Sequence, residues 1–125
     1  MTTMERAIQL RQDPDVHYNC AQSVLIPYAE KAGMSLSQAN AIAAQFGAGM
    51  RVGGTCGAVT GALMVLGLLE KDPKTVREFW NEFKAQTGAM DCAELLKLSK
   101  ERGEDKKAHC DALVYKAVEL LEKFV

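Results

Sequence analysis

The stretch Gly53–Gly67, GGTCGAVTGALMVLG, holds five glycines, one cysteine and no charge. Its apolar residues follow one another without strand-like alternation, and turn residues precede them. The stretch therefore reads as the start of a deeply buried helix running from Thr55 to about Glu70. The charge-free run Val52–Leu69 touches the lower length limit for a membrane span, but its glycines and threonines make a core helix the better reading. Its first turn carries Cys56 among residues too small to cover a thiol.

Working outward, nearly every other element also reads as helix. Thr3–Asp13 is a first helix stopped by Pro14, and Asn19–Ala32 a second that ends at Gly33, with Pro27 expected to kink or split it. Ser35 and Gln38 form a capping box for a third helix reaching Phe46. The segment GAGMRVGG is a loop. Asp72, with Pro73 in the favoured first position, opens a fifth helix that ends at Gly88. Its Phe79, Trp80 and Phe83 read as core. Asp91 opens a sixth helix, with Glu94 in the reciprocal capping position. A polar linker spans Ser99–Lys107, and a last helix carries the core-facing stripe Leu113, Ala117, Leu120, Leu121 and Phe124. The expectation is an all-α fold, one compact bundle of six to seven helices over residues 1–125.

The chain is 125 residues long, 48% hydrophobic and 25% charged, with a formal net charge of −1. That length buries a real core without covalent staples. The charge balance and the lack of a basic stripe argue against nucleic acid as a partner. Charges in MTTMERAIQLRQDPD, where a signal peptide needs an apolar run, point to a cytoplasmic protein without membrane insertion. In a reducing compartment four cysteines are not a structural disulfide framework. The plain alternative is that they are small buried hydrophobes.

Their positions favour chemistry. Cys20 follows Asn19, Cys56 follows Thr55 and Cys92 follows Asp91, so a good N-cap residue precedes each; the start of the helix near Cys110 is less defined. A helix N-terminus presents unpaired N–H groups and the positive end of the dipole, which favours a thiolate. The thiolate is the form that attacks disulfides and ligates metals. On this reading Cys56 is the most activated thiol, and a second cysteine resolves it.

Gly53, Gly57 and Gly61, four residues apart, either let a cofactor or bulky group approach Cys56 or serve tight helix packing. His17 and His109 read more simply as solvent-facing than as bases or ligands, and Arg51 as a surface residue. The loop lacks a phosphate-binding signature. No Ser-His-Asp grouping or His-Glu-x-x-His is present, so hydrolysis has no support. The cysteines are 36, 36 and 18 residues apart with no C-x-x-C pair, so any shared site is assembled by tertiary folding.

NCAQSVL at Cys20, FGAGMRVGGTCGAVTGALMVLGL at Cys56, DCAELLKL at Cys92 and HCDALVYKAVELLEKF at Cys110 together resemble the redox-active family named for the cysteine pattern C-GCAxxG-C-C. Cys56, Gly57, Ala58 and Gly61 meet its Cys-Gly-Ala-x-x-Gly signature, and each of the family's four cysteines has a counterpart. The resemblance implies a small redox protein. Selenocysteine at a cysteine position in some members implies direct thiol chemistry, whereas association with electron-transfer modules implies an iron–sulfur cluster. Met50-Arg51-Val52 stand where smaller residues are expected and would alter access.

The leading expectation is thiol/disulfide electron transfer by Cys20, Cys56, Cys92 and Cys110, served by a redox partner protein or a small-molecule electron donor or acceptor. The first rival is a metal centre, with the same four cysteines holding an iron–sulfur cluster or Zn²⁺. The second is a non-catalytic helical interaction module with buried cysteines. The site can lie within one chain or across a homodimer.

Overall fold

The computed structural model describes all residues, Met1–Val125, and contains seven α-helices. Helix α1 (Thr3–Arg11) starts in a capping box between Thr2 and Glu5, and ends before Pro14. Helix α2 (Cys20–Lys31) starts in a second box between Asn19 and Gln22. Pro27 lies inside α2 without splitting it. Every residue from Ala21 to Ala29 is buried, so packing on all sides holds both halves of the helix together despite the missing N–H.

Helix α3 (Leu36–Ala43) uses the expected Ser35–Gln38 box and then tightens into a single 3₁₀ turn, Ala44–Phe46. Helix α4 (Gly57–Leu68) begins two residues later than the sequence implied. Cys56, not Thr55, is its N-cap. Helix α5 (Pro73–Thr87) has Asp72 as its cap, accepting from the Thr75 N–H, and Gly88 as its stop. Helix α6 (Cys92–Glu101) follows Asp91, whose side chain makes no capping bond, so the expected exchange with Glu94 does not form. Helix α7 (Lys106–Leu121) is capped by Asp105.

Helices α2 and α4 cross at the centre, with α1 and α7 packed on α2, α3 beside it, α5 against α7 and α4, and α6 against α7. The small residues of α4 decide how close that crossing is. A Cβ on Gly61 would lie 2.7 Å from the Ala21 carbonyl oxygen, and one on Gly57 3.1 Å from both the Ala21 nitrogen and the Cys20 Cβ. One apolar cluster of 26 buried residues links the elements, among them Val24, Ile26, Val59, Leu66, Phe79 and Leu120. Phe79 stacks on Phe83 and meets Phe124 edge-on, with ring centres 6.1 and 6.4 Å apart. Trp80 is partly buried against the same core. No helix is long and apolar enough to cross a membrane.

Candidate functional site

Two backbone devices bring the cysteines together. The segments before α4 and α6 pair antiparallel at Thr55 and Asp91. The Cys56 N–H donates to the Met90 carbonyl (2.7 Å) and the Cys92 N–H to the Gly54 carbonyl (2.6 Å). Thr55 and Asp91, expected to cap by side chain, thus act through their backbone and set Cys56 beside Cys92. The α2–α4 crossing does the rest, because Gly57 seats Cys20 against the start of α4.

The turn Gly49–Gly53 completes this end of the bundle in a left-handed conformation, with positive φ at Ala48, Met50 and Arg51 as well as Gly49 and Gly53. At Gly49 glycine is required: a Cβ would come within 2.8 Å of the Cys92 Cβ and closer still to the Gly54 backbone.

Cys20, Cys56, Cys92 and Cys110 all line one cavity of about 430 Å³, and none is in a disulfide. Cys20 and Cys92 are the first residues of α2 and α6, and Cys56 caps α4, as their positions in the sequence implied. Cys110 differs, because α7 starts four residues earlier and places it at the beginning of the second turn.

Of the three candidate glycines only Gly57 touches the cavity, and its missing side chain is already filled by α2. Gly61 serves the helix crossing alone. Gly53 supplies a positive φ to the turn. Helix packing and turn geometry therefore account for the glycine spacing. Met50, Arg51 and Val52 do not line the cavity and do not narrow it; Arg51 is exposed and bonded to Gln45. His17 is exposed at the cavity edge. His109, expected in solvent, is buried, with Nδ1 3.9 Å from Glu104 Oε1. Burial holds its pKa down against the pull of that carboxylate.

The electrostatics reverse the expected ranking of the thiols. Burial pushes Cys56 up to about 11, although the Ala58 and Val59 N–H groups at the start of α4 pull the other way. The helix-end effect is present but desolvation outweighs it. Cys92 is raised by burial and by its neighbour Cys110, with Lys106 opposing. Cys20 and Cys110 influence one another's ionisation. Contact with Cys110 and burial raise Cys20. Cys110 is held down at about 7, first by its thiol neighbour Cys20 and then by Arg11 and Lys106, against its own desolvation.

Arg11 is a cavity residue the sequence did not disclose. A lone arginine at a helix end reads as a C-terminal dipole partner, and only its burial distinguishes it. Its exposure is 7%. Nε donates to Asp111 Oδ1 and one Nη to the Tyr18 carbonyl, both at 2.7 Å. Lys107 Nζ reaches Asp111 Oδ2 at 3.0 Å and the Arg11 carbonyl at 3.1 Å. The bond to Asp111 and the nearby sulfurs keep Arg11 charged despite its burial.

No three His, Cys, Asp or Glu side chains converge closely enough to hold an ion. The thiols share a cavity without forming a ligand set.

An all-α protein with four free thiols around one cavity belongs to the class of small cysteine-based helical proteins. The family model described as "Putative redox-active protein (C_GCAxxG_C_C)" matches residues 18–124, and the chain belongs to that family. Arg11 lies ahead of the matched span. No curated protein and no solved structure matches the chain.

Proposed function

We propose that the protein is a dithiol oxidoreductase in which Cys110 is the nucleophile and Cys20 the resolving thiol. The observation that carries this reading is the Cys20–Cys110 pair, set in a cavity with a buried arginine. The Cys110 thiolate attacks one sulfur of a disulfide substrate; a Cys110–substrate disulfide forms and the other substrate sulfur leaves as thiolate. Cys20 then loses its proton and attacks Cys110. The second substrate half leaves, and Cys20–Cys110 is the oxidised product. Two protein thiols are oxidised and one substrate disulfide becomes two thiols. An external dithiol reverses the change on the protein. Cys56 and Cys92, with raised pKa values, stay protonated near neutral pH and form the cavity's other thiols.

The test is anaerobic purification, metal and visible-absorption analysis, then reaction with one equivalent of a small disulfide and peptide mapping. The expected result is colourless, metal-free protein that loses two thiols together and yields a Cys20–Cys110 cross-linked peptide. Cys20→Ser should stall as a mixed disulfide on Cys110, and Cys110→Ser should not react at neutral pH. Iron-dependent absorption between roughly 300 and 600 nm would replace this reading with a cluster protein. Four thiols of equal, ordinary reactivity would replace it with a non-catalytic module.

A further inference from the structure

The charges around the cavity are all of one sign. Arg11, Lys106 and Lys107 line it, and no Asp or Glu does. Asp111 lies behind Arg11 and Lys107 and is shared between them, so it neutralises only one of the two. Lys106, the first residue of α7, has no carboxylate partner. It lines the same cavity as Cys92 and Cys110. The lining also has an apolar part, Ala48, Leu96 and Leu113. The volume of about 430 Å³ falls in the range of small-molecule pockets, roughly 300–1,000 Å³, and exceeds what a bare oxyanion fills.

Deepening the dithiol reading on which it rests, we infer that the substrate is a small organic disulfide bearing carboxylates, its anionic groups held by Arg11 and Lys106 and its carbon chain on Leu96 and Leu113. The thiols sit in a cavity rather than on a flat surface, which suits a small molecule better than the disulfide of a folded protein. A net positive charge around a partly enclosed, low-dielectric site raises the local concentration of an anion and aligns its sulfur with Cys110. The chemistry is that of the two exchanges above, with the leaving half released as an anionic thiol.

The test compares two chromogenic disulfides, dianionic 5,5′-dithiobis(2-nitrobenzoate) and neutral 4,4′-dithiodipyridine. Each rate is divided by that of a small uncharged thiol in the same buffer. Wild-type protein should prefer the anionic probe, and Lys106→Glu should lower the anionic-to-neutral ratio about tenfold, with Lys106→Gln in between. Taking the ratio cancels any change in the thiolate fraction of Cys110. Lys106 is exposed, and a glutamate at the first position of a helix favours folding, so the variants test charge and not stability. A ratio that stays constant while both probes still yield the Cys20–Cys110 disulfide overturns the anionic substrate and leaves the dithiol reading standing. Failure of both probes to yield that disulfide removes both.

Discussion

Arg11 and Cys20 show how a reactive thiol is tuned by its neighbours and not by its place on a helix. Cys110 lies a full turn inside α7, where the dipole effect has faded, yet it has the lowest pKa of the four cysteines. Its thiolate is favoured by the neighbouring Cys20 thiol and by two cations. Removing that thiol should therefore move its alkylation midpoint. In Cys20→Ala the midpoint should rise from about 7 towards the ordinary 9.0, whereas Cys20→Ser, which keeps a donor, should shift less. Iodoacetamide kinetics against pH, read by mass spectrometry, check this. Arg11→Lys keeps the charge but loses the planar fork that bonds Asp111 and Tyr18 together, and should give an intermediate midpoint.

The sign of the stability linkage follows. Cys110 is depressed in the folded state, so its contribution is fully present above the unfolded value of 9.0 and is lost as pH falls through 7. Urea midpoints of the reduced protein should rise from pH 7 to about 8, before the three raised thiols begin to titrate in the unfolded chain and oppose the rise, and Cys20→Ala should flatten it.

At the scale of elements, α2 and α4 carry the site because they can approach closely. Gly61 and Gly67 lie on the same helix and differ only in what stands opposite them. A Cβ at Gly61 meets Ala21 backbone at 2.7 and 3.0 Å, and backbone cannot move aside without parting the helices. Gly61→Ala should cost about 1–3 kcal/mol and disturb the seating of Cys20. At Gly67 nothing lies within 4 Å. Gly67→Ala should stabilise by about 0.5–1 kcal/mol through helix propensity alone. Urea denaturation of the two variants separates the effects, and equal ΔΔG values would remove the packing account of Gly61. The periodicity of the helices and three capping boxes or caps, at Asn19, Ser35 and Asp72, were legible in the sequence because they depend on residues three or four apart. The failed cap at Asp91 was not, because its backbone is recruited by Thr55, 36 residues away.

For the whole molecule, the proposed disulfide joins the start of α2 to α7 and closes a loop of about 90 residues. Such a cross-link restricts the unfolded chain far more than a short one, and oxidised protein should exceed reduced protein in stability by about 2–4 kcal/mol. Calorimetry of both forms, with Cys20→Ser as the control that cannot close the loop, makes the comparison. Identical unfolding of oxidised and reduced wild type would mean that the link is strained or forms elsewhere.

From the sequence alone came the all-α class, the approximate helix limits, the redox family and the four cysteines that line the cavity. Each depends on local periodicity, on capping chemistry or on a motif written contiguously in the chain. Only the tertiary structure decided which thiol ionises first. Burial raised Cys56 and Cys92 above a free thiol, and contact with Cys110 together with burial raised Cys20. Arg11, from a helix outside the family's span, met Cys110 and Cys20 across the bundle. Desolvation and charge contact depend on which surfaces meet, and a linear spacing of residues does not contain that information.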